Sequence, residues 1–231
     1  MISIRQTRTV NARERNKAKR RDAILDAAIE LLGERDSNEV TTAEIAAAAG
    51  VAPATVYNLV GTRDDLVHAI VARVLDDLTD SLAILAASES PDPIAAAFLI
   101  VEQTVDAFTT SSTAFRRIVA LAQSTVRSER LIDPSELQVT AMTTAQSMGM
   151  IRQDLDAAAL GRQIFVSYSG ALSLWSSGRL DDDGFLTVAR HGLLIALAAA
   201  TTDDHRTRFL RELGETGRRL DRTSWRASSL H

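Results

Sequence analysis

"AGVAPATVYNLVGTRDDL", residues 49 to 66, decides the reading of this chain. An Ala-rich segment stops at Gly50-Val51, and a second short segment opens at Ala52-Pro53-Ala54-Thr55. Glycine takes a positive φ at no steric cost, so Gly50 marks a tight turn. Pro53 suits the first turn of a helix, where its missing N–H is no loss. That helix, expected to run to about Val60, carries Tyr57 and Asn58 with almost no charge nearby. A short polar-aromatic helix held by a Gly turn is a poor core element and a good one for lying in a groove.

Upstream, "TTAEIAAAAG" pairs Thr41 with Glu44 three positions on, the pattern of a capping box, and Gly50 ends this helix after two turns. Before it, "DAILDAAIELL" places Ile24, Ala27, Ala28, Leu31 and Leu32 on one helical face, with Gly33 expected as its C-terminal cap. Downstream, Gly61-Thr62 breaks the chain, and Thr62 caps a long helix whose first turn holds Asp64 and Asp65. Two short helices crossing steeply need apolar contacts, a small residue and a turn glycine. Ile45, Ala49, Val51 and Val56 supply the contacts, Ala46 the small residue and Gly50 the turn.

The rest of the chain is helix after helix, over roughly 63–87, 92–110, 112–127, 134–149, 156–177 and 184–200, with 203–220 as one further helix in a polar tail. The 231 residues can bury a sizeable core, and alanine dominates long stretches in a chain with 11 Gly and 4 Pro. The expected fold is all-α: an N-terminal three-helix helix-turn-helix domain plus a larger helical domain. The expected divisions are 1–62 for a basic arm and the helix-turn-helix, 63–202 for the larger domain and 203–231 for the tail.

Charge is divided unevenly. Residues 1 to 21 carry eight Arg and Lys against Glu14 alone, a net +7, so in a chain of net −4 the remainder is −11. A basic head on an acidic body points one end at a polyanion. The chain has no Cys, the N-terminal residues have no apolar signal-like region, and the run Leu193 to Ala200 is too short to span a bilayer. The expectation is a cytoplasmic protein without a membrane partner. His68, His191, His205 and His231 are scattered, and no metal-hydrolase, nucleophile-elbow or phosphate-loop motif occurs. No enzyme activity, cofactor or metal is expected; Asp181-Asp182-Asp183 reads as an acidic helix start.

"ILDAAIELLGER…VTTAEIAAAAGVAPATVYNLVGTRDDL" resembles the N-terminal domain of TetR-family transcriptional repressors over residues 20 to 70. The chain departs from that family's pattern at three places. Leu59-Val60 stands where an aromatic pair is usual, Arg63 where Lys is, and Ala52 where a small polar residue opens the recognition helix. Weaker or redistributed phosphate contacts follow from Leu59 and Ala52, while Arg63 keeps its charge. The resemblance implies a DNA-binding transcriptional regulator, in the family's habit a repressor. It implies a homodimer on a palindromic operator in double-stranded DNA.

The N-terminal residues of a recognition helix face base edges in the major groove. Ala52, Pro53 and Ala54 would offer apolar surface to thymine methyls, and Asn58 suits adenine or a phosphate. Thr41, Thr42, Thr55, Tyr57 and Arg63 are the candidate phosphate clamps. The Tyr57 ring could equally cap the small domain's core. The basic arm is expected to reach a phosphate or the adjacent minor groove.

In the larger domain the resemblance implies a small-molecule pocket whose occupation spreads the two heads. The candidate lining is Phe98, Phe108, Phe115, Met142, Met148, Phe165 and Tyr168, with Arg116, Arg117, Gln123 and Gln163 to orient a polar end; the effector would be apolar or amphipathic. "GRQIFVSYSGALSLWSSG" and "FLTVARHGLLIALAAA" are apolar on most sides, so each needs more than one partner. Gly170, Leu174, Trp175, Gly192 and Ala196 are the candidate dimer contacts in an isologous four-helix interface, which the W-x-x-G-x-L-D stretch also resembles. The competing reading is a helix-turn-helix regulator with a filled core, controlled by a partner protein.

Overall fold

The computed structural model describes residues 12–87, 91–124 and 135–220, and its regular elements are all helices. These are α1 (Ala12–Glu34), α2 (Thr42–Ala48), α3 (Pro53–Leu59), α4 (Arg63–Ala86) and α5 (Pro93–Thr109). They continue with α6 (Ser112–Ser124), α7 (Ser135–Ser147), α8 (Ala157–Ser176), α9 (Asp182–Ala200) and α10 (Asp203–Leu220).

The small head is α1 to α3 with the first turns of α4. Its core gathers Ile24, Leu25, Ala28, Val40, Ile45, Ala46 and Val56, each under 9% exposed, with Leu66, Val67 and Ile70 of α4. The capping box forms: Glu44 N–H donates to Thr41 Oγ1, and Thr41 N–H donates to Glu44 Oε2 at 2.9 Å. Gly50 sits at φ +66, and the N–H of Val51 bonds back to Ala46 at 2.9 Å, so the chain reverses in one step. Thr62 and Asp65 form a second capping box at the start of α4.

Two expectations change here. α1 begins at Ala12, so residues 12 to 21 are its first turns rather than an arm, and Arg5 and Arg8 lie outside the described residues. Charged residues on the exposed side of a helix that has one buried face extend it as readily as apolar ones. Gly33 is helical and not a cap; α1 runs on to Glu34, and its end is closed from elsewhere in the fold. Arg117 of α6 donates to the carbonyls of Leu32 (2.6 Å) and Arg35 (2.8 Å) and pairs with Asp36 at 2.9 Å. A body helix thus caps a head helix.

In the body, α7 and α8 pack most closely. A Cβ on Gly161 would lie 2.6 Å from the backbone of Val139, so only glycine permits that approach. α9 lies between α8 and α10 and also touches α5. It is long and apolar enough to cross a membrane by composition, yet Phe185, Ala189, Leu193, Leu194 and Leu197 are buried against these neighbours. α10 covers α9 through Phe209, which is 1% exposed and stacks on Phe98 of α5 at 6.3 Å.

Candidate nucleic-acid interface and effector cavity

The head presents α3 outward. Val56 is the α3 residue fully buried, and it anchors the helix; Ala52, Pro53, Ala54, Tyr57 and Asn58 are all exposed, Tyr57 by 57%. Tyr57 therefore does not cap the core. Ala52 occupies the N-cap without a side-chain hydrogen bond, as its methyl requires. Thr55 and Thr42 are half-buried, and Thr41 and Arg63 are exposed at the edge of the same surface. Arg63 reaches back to the Val40 carbonyl at 3.4 Å, which orients its guanidinium across the start of α2.

Beside α3 runs a cleft of about 710 Å³, walled by Arg13, Glu14, Asn16, Lys17 and Arg20 of α1, three cations against one carboxylate, and by Thr55, Asn58 and Leu59 of α3. The expectation of a basic arm that reaches the duplex changes in form for these cations: they stand on α1, beside α3. Their signal was available: positions 13, 17 and 20 are spaced i, i+4, i+7, one stripe of a helix. The stripe sets positive charge along the recognition helix, where a phosphate backbone would pass.

The body holds two neighbouring apolar spaces that share part of their lining. The inner one, about 130 Å³, is lined by Val71, Leu75 and Leu78 of α4, Ile100, Thr104 and Phe108 of α5, Leu137 and Gln138 of α7, and Phe165, Tyr168, Ser169 and Leu172 of α8. The outer one, about 350 Å³, opens between α4, α5 and α7 near Pro91-Asp92-Pro93. Ile100 and Leu137 line both. Burial pushes the Tyr168 phenol above its ordinary pKa, with the neighbouring Thr104 hydroxyl opposing it in part.

Of the residues expected to line a pocket, Phe108, Phe165 and Tyr168 do so. Met142 is wholly buried elsewhere in the core, Met148 is 51% exposed, and Phe98 is engaged with Phe209 and with the Arg190 guanidinium. Phe115 packs on the far side of Phe108, at 5.3 Å between ring centroids. None of the four expected polar residues reaches the cavity. Arg116 bonds to the Trp175 and Leu180 carbonyls and to Asp182, Arg117 caps α1, and Gln123 and Gln163 are exposed. The buried polar residues there are Gln138, 2% exposed, and Thr104, 6% exposed, which no motif singled out because helical spacing does not show which polar side chain turns inward.

The expected dimer contacts divide. Trp175 is 0% exposed and belongs to the interior of one chain: it stacks on Phe185 at 5.1 Å and donates its indole N–H to Asp182 at 2.7 Å. The W-x-x-G-x-L-D stretch is thus a local corner, with Asp181 capping α9 through Gly184 N–H. Gly192 serves α8–α9 packing within the chain, since a Cβ there would meet Ser167 Oγ at 2.1 Å. Gly170 and Leu174 of α8 and Ala196 of α9 keep exposed or half-buried positions, alongside Val166 at 58% and Ile195 at 51%.

Comparison with known proteins matches residues 24–70 to the N-terminal domain of bacterial regulatory proteins of the tetR family. Over 90 residues the chain is 37% identical to the HTH-type transcriptional regulator BetI of Brucella anthropi, covering 38% of this chain and 46% of that protein. The chain spans less than half the length of the curated relatives it matches. Among solved structures, SmeT, the repressor of a multidrug efflux pump of Stenotrophomonas maltophilia, aligns with a TM-score of 0.61 at 20% identity, over 79% of this chain and 91% of that one. Thermus thermophilus FadR, solved with lauroyl-CoA, aligns with a TM-score of 0.54 at 19% identity, over 77% and 93%. At such identities these structures show the fold of the whole, head and body together. Over residues 24–70, this chain carries the N-terminal domain of the tetR family of bacterial regulatory proteins.

Proposed function

We propose that this protein is a ligand-responsive transcriptional repressor of the cytoplasm, binding a palindromic operator as a homodimer and leaving it when a small molecule fills the body cavity. The observation that carries the DNA-binding half is the exposed face of α3 beside the Arg13, Lys17 and Arg20 stripe. Thr41, Thr42, Thr55, Tyr57 and Arg63 hold phosphates, and Ala52, Pro53, Ala54 and Asn58 meet base edges. The exposed apolar positions of α8 and α9, Val166, Gly170, Leu174, Ile195 and Ala196, form the two-fold contact.

The cavity favours a small molecule over a controlling partner protein, because a body used only for docking needs no interior space. Coupling follows from α4, whose Val71, Leu75 and Leu78 wall the cavity while its Leu66, Val67 and Ile70 sit in the head core. A ligand that wedges α4 away from α8 favours a head spacing that no longer fits two half-sites. The Arg117 cap on α1 is the second link between body and head.

Selection of bound DNA from a random pool tests this reading. The expected result is an inverted repeat whose affinity falls steeply with salt. Recovery of sequences without two-fold symmetry, or no enrichment at low salt, would overturn it.

A further inference from the structure

Among the described residues, the buried side-chain polar atoms without a hydrogen-bond partner are Gln138 Oε1, the Tyr168 hydroxyl and Arg206 Nε. Gln138 and Tyr168 line the same inner cavity. The Gln138 amide is fixed in orientation, because its Nε2 donates to the Ala97 carbonyl at 3.1 Å; the reverse orientation would set two oxygens together. Its Oε1 is therefore an acceptor aimed at apolar space, and burying an unpaired acceptor costs stability that only a donor can recover.

Among the described residues, none that lines the inner cavity carries a charge, since its polar members are Thr104, Gln138, Tyr168 and Ser169. Burial keeps the phenol neutral as well. The charged group of the outer space is Asp92, whose carboxylate already accepts the N–H groups of Ile94 and Ala95 at the start of α5. An anionic head would find no cation among the described residues of either space and would pay its desolvation there. The inner volume of about 130 Å³ is close to that of apolar cavities that hold a benzene ring.

Resting on the reading of this cavity as the effector site, we propose that its ligand is an uncharged amphiphile, an alkyl or aryl chain ending in a hydroxyl or carboxamide. The head donates a hydrogen bond to Gln138 Oε1 and meets the Tyr168 hydroxyl. The chain passes between Ile100 and Leu137 into the outer space. Any water resting on those two groups is displaced at little loss, because a ligand hydroxyl reproduces its bonds.

Titration calorimetry on the full chain at pH 7.5 tests this with four probes: 1-octanol, octanamide, sodium octanoate and butylbenzene. Octanol and octanamide are expected to bind at least about tenfold tighter than octanoate. Gln138→Leu should weaken octanol and octanamide about tenfold and leave butylbenzene unchanged. Tyr168→Phe should act the same way more weakly, and it serves if Gln138→Leu does not fold. Octanoate binding as tightly as octanol, octanol affinity indifferent to both substitutions, or no binding of octanol and octanamide would each overturn the assignment. The regulatory reading fails separately: if octanol binds as expected and selected operator DNA is still held equally well at saturation, the ligand chemistry stands and the repressor switch does not.

Discussion

The tip of α3 and the inner cavity depart from ordinary packing in opposite directions. The head exposes a Tyr, a Pro and an Ala on a seven-residue helix anchored by Val56, with a second exposed Ala at its N-cap. The body buries a Gln and a Tyr with polar atoms left unpaired. Stability alone would reverse both, and folds keep such exceptions where a partner completes them. On the function and ligand proposed above, the partner differs in kind: a polyanion along the exposed basic stripe of the head, a small uncharged molecule in the cavity of the body. The difference shows that one helix, α4, serves both, because its N-terminal turns belong to the first environment and its middle turns to the second.

The largest effect expected separates the two regions by damaging one. Gly161→Ala pushes a methyl into the Val139 backbone and should cost about 3 kcal/mol, roughly 6 to 12 °C in Tm. Calorimetric melting checks it; a Tm within about 1 °C of the parent would show that the α7–α8 approach is not tight.

Next, Lys17→Ala with Arg20→Ala should weaken binding to selected DNA more than about tenfold and lower the log–log salt slope by about 2, without changing the preferred sequence. An unchanged slope would remove the α1 stripe from the interface. Asn58→Ala should cost about 1–3 kcal/mol at a single base position and relax preference there. Uniform weakening across all sequences would instead mark Asn58 as a phosphate contact.

Arg117→Ala tests the link between regions. Loss of the α1 cap should lower stability by about 2 kcal/mol and reduce the ligand's effect on operator affinity, with ligand binding itself little changed. Full coupling in that variant would leave α4 as the sole carrier.

The smallest effect is acid sensitivity in the head. Hydrogen bonds from Arg35 and then Thr41 hold the Glu44 carboxyl at about 2, below its usual 4.5. The stabilisation is complete above about 4.5 and is lost as pH falls toward about 2, so neutral stability is untouched. Glu44→Gln should flatten that acid limb slightly, read by helix content against pH. An identical limb in both proteins would assign the acid loss elsewhere.

Local chemistry was legible where a few adjacent residues decide the outcome. Gly50 as the turn, Thr41 with Glu44, Thr62 ahead of Asp65, and Pro53 opening α3 each follow from nearest-neighbour sterics and hydrogen bonding, so the sequence by itself determined the helix order and the outward-facing head. The i, i+4, i+7 spacing of positions 13, 17 and 20 permits a helix over residues 12 to 21 but does not require one, because a solvated basic tail can carry the same residues. Nor did the sequence separate Trp175, spent inside one chain, from Gly170 and Leu174 on its outside, since a helix apolar on most sides has no unique inner face. Only tertiary packing put Gln138, and not Arg116 or Arg117, among the polar groups of the cavity. Which side chain turns inward depends on distant partners, here the Ala97 carbonyl for Gln138 and the open end of α1 for Arg117, and no spacing along the chain encodes those encounters.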